Sequence, residues 1–293
     1  MTQTSPLSPG THVVVLDGFV QGYHVHGTGP VCLAYPGGPG IFCDYLRSPE
    51  LERHLTMVYV EPPGTGVTER LPAHPHGYTR DRYIERLDRL IEHLEVPRVH
   101  LVGHSFGGFV SQYYAVRRPG RLAGVILYGS APALDEEHAA ETRRNLEEYA
   151  RRHAGHPETR SILDAFADET YSTDEEAAAN LKAIFPLYFA DYRARQAEFE
   201  PMRAAIRATY LSPLDEDGNP MACDDRADLP AVAVPTLVVA GRHDFICGVR
   251  WAKELAELIP GSELHVFEGS GHFPHWEEPD EFARIVLDFV KRT

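Results

Sequence analysis

The chain has 293 residues, 43% of them hydrophobic, and a formal net charge of −15. That length accommodates one large domain, or a core with an insertion. The charge disfavours nucleic acid and anionic membrane surfaces as partners and tolerates a cationic substrate. Cys32, Cys43, Cys223 and Cys247 form no C-x-x-C pair and no zinc spacing, so free thiols in a reducing, cytoplasmic compartment are expected. Residues 1–6 lack a basic stretch followed by an apolar run, so no signal peptide is expected. No segment reaches the length of a membrane span, and there is no internal repeat or low-complexity tract.

Residues 1–10 form a polar, proline-containing lead. Strands are predicted over 12–16 and 20–26, joined at Asp17-Gly18, a hairpin signal. A short apolar run at 31–35 suits a central strand. It enters Pro36-Gly37-Gly38-Pro39-Gly40, a composition that neither helix nor strand accepts and that leaves amides free to face a ligand. A strand over 56–60 precedes a second fixed loop, Glu61-Pro62-Pro63-Gly64-Thr65-Gly66. Residues 79–94 place Tyr83, Ile84, Leu87, Leu90, Ile91 and Leu94 at helical spacing. Next come a buried strand at 99–102, the turn Gly103-His104-Ser105-Phe106-Gly107-Gly108, and a helix ending near Arg118-Pro119. A strand at 122–127 continues an alternation that predicts a mostly parallel sheet covered on both faces.

From 133 to 226 the alternation stops. This stretch is rich in Glu, Arg and Ala, with Ser172-x-x-Glu175 as a capping box and an acidic turn, Asp215-Glu216-Asp217-Gly218-Asn219-Pro220. We read it as an inserted helical cap over the turn at Ser105, on a core formed by 1–132 and 227–293. The rhythm then returns. A strand at 235–240 leads to Gly241-Arg242-His243-Asp244, followed by a helix at 251–258, a strand at 263–267, Gly269-Ser270-Gly271-His272, and a closing helix at 278–291 with Pro279 in its first turn.

Gly103-x-Ser105-x-Gly107 between a buried strand and a helix is the spacing of a strained turn that exposes a serine hydroxyl and aims the Phe106 amide at a substrate oxygen. A serine hydroxyl needs a base, and the base needs a partner to hold its tautomer. Asp244 and His272 each lie just past a predicted late strand, at the sheet edge that would carry Ser105. The order Ser105, Asp244, His272 is that of the α/β-hydrolase fold. Among the competing histidines, His104 is expected to face away, and His243 and His275 to pack or cap. The second oxyanion donor is expected from the 36–40 loop, with Gly38 favoured. No metal or organic cofactor is required by this chemistry.

These motifs make the chain resemble the proline iminopeptidases, serine aminopeptidases of the α/β-hydrolase fold. The resemblance rests on Gly37-Gly38-Pro39-Gly40, the Gly64-x-Gly66 loop, Gly103–Gly108, Gly241-Arg242-x-Asp244 and Gly271-His272-x-x-x-x-Glu277-Glu278-Pro279. It implies cleavage of an N-terminal proline or other small aminoacyl group from a peptide or peptide-like small molecule. It also implies acidic cap residues that bind the substrate amine; Glu216, with Asp215 and Asp217 beside it, fits by position. Three departures bear on the substrate. Pro36 stands where the family usually has His, Glu61-Pro62-Pro63 replaces an Asp-x-Arg loop, and Phe245 follows the aspartate where some relatives carry an acid, which suits a hydrophobic acyl pocket instead. The alternatives are a serine esterase or C–C bond hydrolase on a neutral acyl substrate, and a catalytically silent binding protein on the same scaffold. The sequence leaves the oligomeric state open.

Overall fold

The computed structural model describes residues 5–168, 170–219 and 223–293. Residues 1–4 of the lead and Pro220 of the acidic turn lie outside them. Eight strands form one sheet: β1 (Gly10–Leu16), β2 (Phe19–His26), β3 (Val31–Tyr35), β4 (Thr56–Val60), β5 (Val99–His104), β6 (Leu122–Tyr128), β7 (Thr236–Gly241) and β8 (Glu263–Phe267). Their order is β1-β2-β4-β3-β5-β6-β7-β8. β2 runs antiparallel to β1 and β4, and all other neighbours are parallel. The β1–β2 hairpin turns at Asp17 and Gly18, with φ 50° and 80°, the two positive values that a tight two-residue hairpin requires.

Ten α-helices accompany the sheet among the described residues: α1 (Pro49–Glu52), α2 (Arg80–His93), α3 (Phe106–Arg117), α4 (Glu136–Arg152), α5 (Thr159–Ala167), α6 (Asp174–Ile184), α7 (Gln196–Ala205), α8 (Val249–Leu258), α9 (Pro274–Glu277) and α10 (Pro279–Arg292). The central strands are apolar throughout because both faces are covered. Alternate residues supply two cores. Leu33, Val58, Leu101, Val125 and Val238 pack with Leu87 and Leu90 of α2, Val110 of α3 and Leu255 of α8. Their neighbours Ala34, Tyr59, Val102, Ile126 and Val239 pack on the other side with Phe282, Val286 and Phe289 of α10.

The expected strand–helix alternation is present, with boundary differences that have local causes. β5 runs on to His104, because Gly103 and His104 still pair with Leu127 and Tyr128 of β6. The closing helix starts at Pro279 rather than 278, because Glu278 has a non-helical backbone (φ −134°, ψ 59°) and its side chain accepts bonds from the preceding turn. The capping box is Thr173/Glu176, one residue beyond the expected Ser172/Glu175. The Thr173 hydroxyl accepts from the Glu176 amide at 3.2 Å, and the Glu176 carboxylate accepts from the Thr173 amide at 3.2 Å.

Among the described residues between β6 and β7 the chain forms α4 to α7 and no strand of the sheet. Near the end of this insertion Asp225, 2% exposed, receives a two-pronged ion pair from Arg80 at the start of α2. All four cysteines are free and buried. Among the described residues no helix is long and apolar enough to cross a membrane.

Candidate active site

The turn at Ser105 is dictated by close packing. A side chain on Gly103 would run into the Gly107 carbonyl and Ser111, one on Gly107 into the carbonyls of Tyr35 and Pro36, and one on Gly108 into Ser130. Only glycine lets β3, β5 and α3 approach this closely. Ser105 itself sits at φ 54°, ψ −120°, strain at a non-glycine residue that the packing around it enforces. Its amide donates to the Tyr128 carbonyl at 2.8 Å, and its carbonyl accepts from the Gly108 amide at 2.8 Å.

Asp244 follows β7 and His272 follows β8, so both stand at the same sheet edge as Ser105. Nδ1 of His272 donates to Oδ2 of Asp244 at 2.6 Å, and both side chains are almost fully buried. The other oxygen, Oδ1, accepts from the amides of Ile246 at 3.0 Å and Cys247 at 2.9 Å. Burial alone would raise the Asp244 pKa. The facing His272 charge, its hydrogen bond and the two amides outweigh burial and hold the pKa below the usual value. The His272 main chain is fixed by its own amide, which donates to the Tyr188 carbonyl at 2.6 Å. Nε2 of His272 and the hydroxyl of Ser105 have no hydrogen-bond partner among the described residues, and both line one cavity.

The 36–40 loop borders the same space. Gly37 and Gly38 line the cavity. The Gly37 amide is already spent, donating to the Tyr45 hydroxyl at 2.7 Å. The amides of Gly38 and Phe106 have no hydrogen-bond partner among the described residues. Gly38 has φ +123°, a value that favours glycine.

The cavity measures about 350 Å³, within the range of small-molecule sites. Its wall is mostly aliphatic and aromatic. Ile41, Phe42, Ile246 and Phe273 come from the sheet-edge loops, Trp276 from α9, and Leu181, Phe185, Tyr188, Met202 and Ile206 from the insertion. The lining also includes three charged residues, Asp44, Arg47 and Arg207. Asp44 pairs with Arg207 at 2.8 Å, and Arg47 with Glu52 at 2.5 Å.

Several expectations need correction here. The acidic turn is not part of the wall. Oδ1 of Asp215 accepts from its own turn, the amides of Asp217 at 2.9 Å and Asn219 at 2.8 Å, and Glu216 lies against Gly77. None of Asp215, Glu216 and Asp217 lines the cavity. Phe245 packs on Tyr188 and Phe166, and its neighbour Ile246 faces the cavity instead. His104 does not turn away. It is buried against His272 with ring centroids 4.5 Å apart, and its Nε2 donates to the His272 carbonyl at 3.0 Å. His275 does pack as expected, buried between the Tyr128 hydroxyl and the Tyr45 carbonyl. His243 is exposed, and its amide donates to the Ser270 carbonyl.

Sequence reasoning also passed over what the Glu277-Glu278 pair does. Glu278 accepts from the Gly269 amide at 3.1 Å and the Ser270 hydroxyl at 2.5 Å. Glu277 accepts from the Gly271 amide at 2.7 Å and from Ala190 of the insertion at 2.9 Å. The two carboxylates clamp the turn that carries His272. Their signal was adjacency to that histidine in sequence, which carries no hint of direction.

Comparisons with known proteins agree with this fold. The family model described as alpha/beta hydrolase fold matches residues 12–279. The chain is 30% identical over 285 residues to a 2-hydroxy-6-oxo-2,4-heptadienoate hydrolase from Pseudomonas putida, covering 95% of each chain. It is 26% identical over 282 residues to a proline iminopeptidase from Heyndrickxia coagulans, covering 92% of this chain and 93% of that one. Among solved structures, an alpha/beta fold family hydrolase from Bacillus anthracis superposes with a TM-score of 0.74 at 23% identity, over 95% of this chain and 98% of the other.

Proposed function

Because the chain belongs to the alpha/beta hydrolase family, we propose that it is a serine hydrolase that breaks a carbon–carbon or ester bond beside a carbonyl group in a small, largely apolar molecule. In this reading Ser105 is the nucleophile, His272 the general base and Asp244 the carboxylate that orients it. The amides of Gly38 and Phe106 receive the oxyanion, and the insertion 133–226 serves as a cap over the site. Oγ of Ser105 attacks the carbonyl carbon while its proton passes to Nε2 of His272. His272 then returns that proton to the departing alkoxide or carbanion. Water, deprotonated by the same nitrogen, attacks the acyl-serine and releases the acid. Substrate plus water gives a carboxylic acid and either an alcohol or a compound with a new C–H bond.

The observation that carries this reading is the cavity wall. Ser105 and His272 open onto hydrocarbon, and the single carboxylate there among the described residues, Asp44, is already paired with Arg207. A substrate bearing a free ammonium group finds no unpaired acid to meet it, and burying such a charge unpaired is costly. The chemistry of the Pseudomonas relative's named substrate points the same way. A 2-hydroxy-6-oxo-2,4-heptadienoate contains neither ester nor amide, so its hydrolysis has to cut carbon from carbon beside the 6-oxo group.

A second reading, an aminopeptidase, is favoured by the Heyndrickxia relative's name and by the Gly37-Gly38-Pro39-Gly40 loop. It would need Asp44 to leave Arg207 for the substrate amine. A substrate panel separates the two: p-nitrophenyl butyrate, 2-hydroxy-6-oxo-2,4-heptadienoate, and prolyl-4-nitroanilide with its amine free or acetylated. We expect turnover of the ester or the dienoate, abolished in Ser105→Ala together with labelling by a fluorophosphonate. Cleavage of the free-amine anilide alone, lost in Asp44→Asn, would establish the second reading. Absence of any Ser105-dependent labelling would leave only a binding protein.

A further inference from the structure

In the wall of the cavity stands a set of polar groups, His104 buried and Tyr45 half-buried, that the reaction above does not use. The Gly37 amide donates to the hydroxyl oxygen of Tyr45 at 2.7 Å. That oxygen lies 2.7 Å from Nδ1 of His104, and Nε2 of His104 lies 3.0 Å from the main-chain carbonyl of His272. The proton positions follow from the partners. A carbonyl only accepts, so Nε2 carries the hydrogen. The neutral ring then offers Nδ1 as an acceptor, so the Tyr45 hydroxyl donates to it and uses a lone pair for Gly37. Every donor and acceptor in the row is matched. Burial, joined by the neighbouring His272 and His275, holds the His104 pKa well below its ordinary value, and burial raises that of Tyr45, so both keep these roles.

A second row fixes Tyr45 from behind. Nε2 of His275 donates to the Tyr45 carbonyl at 2.8 Å, and Nδ1 accepts from the Tyr128 hydroxyl at 2.7 Å. The carbonyl of Tyr128 in turn accepts the Ser105 amide. The two rows join the three places whose relative spacing matters most: the loop next to Gly38, the main chain of Ser105 and the main chain of His272.

We propose that Tyr45 and His104 are positioning residues that hold the Gly37–Gly38 loop in register with His272, so that the Gly38 amide and the imidazole address one substrate carbonyl together. The proposal rests on the serine-hydrolase reading. Its physical basis is that an oxyanion donor acts only when it is already aimed. A displacement of about 1 Å can cost on the order of 10²-fold in rate. Gly37 and Gly38 have no side chains with which to anchor themselves, so the anchor has to come from the Gly37 amide and its acceptor.

The test uses Tyr45→Phe, which keeps the ring and removes the shared oxygen. In that variant we expect kcat for p-nitrophenyl butyrate to fall by roughly 10- to 100-fold, with KM and the melting temperature close to those of the parent. Binding of an alkyl trifluoromethyl ketone, whose serine adduct carries an oxyanion, should weaken by the same factor, and binding of butyrate should not change. His104→Gln keeps a donor for the His272 carbonyl but severs the row at Tyr45. The double variant is expected to be no slower than the slower single one. Parent-like kcat in Tyr45→Phe, equal losses for ketone and butyrate, or additive losses in the double variant would each overturn the proposal. Ester turnover that survives Ser105→Ala would instead overturn the serine-hydrolase reading on which it stands.

Discussion

Asp244 is acceptor-only and nearly all of its capacity is used: one oxygen meets Nδ1 of His272, the other two amides of its own loop. That fixes the histidine with Nε2 toward the cavity and Nδ1 protonated. Asp244→Asn would present an amide hydrogen or a weaker acceptor to Nδ1 and release the wrong tautomer, so we expect kcat to fall on the order of 10⁴-fold, measured on the ester above. The pH consequence has a definite sign. The Asp244 pKa is depressed in the folded protein, so its stabilisation is present above the unfolded carboxyl pKa of about 3.9 and is lost as pH falls through the lower folded value. Thermal melts should therefore show no pH dependence from this residue between pH 5 and 8, where its stabilisation is present in full.

The turn at Ser105 and the turn at His272 are held by opposite means. The first is held by absence of side chains. Gly107→Ala would press a methyl group onto the Tyr35 and Pro36 carbonyls, and we expect about 1–3 kcal/mol of lost stability in urea unfolding, with turnover falling as the serine is displaced. The second is held by Glu277 and Glu278. Burial pushes the Glu277 pKa up to about 7, although the Ala190 and Gly271 amides and Arg195 pull it down. A raised carboxyl pKa means that the native state binds the extra proton, so stability falls as pH rises from about 4.5 to about 7. Glu277→Gln removes that slope, and its deficit against the parent in melting temperature should shrink between pH 5 and 8; a constant deficit would contradict the assignment.

These two turns also show what could be read in advance. Gly103, Ser105 and Gly107 announce their geometry locally, because close approach leaves a compositional trace. Asp244 and His272 were found because a parallel sheet brings strand ends to one edge. The cavity wall was not legible, since Leu181 and Met202 reach it from α6 and α7, and Phe185 and Ile206 from the residues just past their ends, where the pattern says only that these helices are amphipathic. The acidic turn was misplaced for the converse reason: charge marks a residue as exposed without saying where on the surface it stands.

At the scale of the whole molecule the insertion is joined to the rest of the chain by many hydrogen bonds and ion pairs, two stitches of different kinds among them. Arg80 and Asp225 join α2 to its end, with Gln112 adding a bond to the same carboxylate at 2.8 Å. Asp225→Asn strands the Arg80 charge. We expect a loss of about 3 kcal/mol, visible as a lower midpoint in urea and as earlier proteolysis of the insertion than of the sheet. The other stitch is main chain to main chain. Ile41 bridges Ala208, the Phe42 amide donates to the Arg207 carbonyl at 3.1 Å, and the Thr209 amide donates to the Gly40 carbonyl at 2.8 Å. The segment at 206–209 thus cannot lift without tugging the residues directly after Gly38. The strip of the insertion beside the cavity and the loop that follows Gly38 therefore share one hydrogen-bonded frame, and a shift in either is handed on to the other.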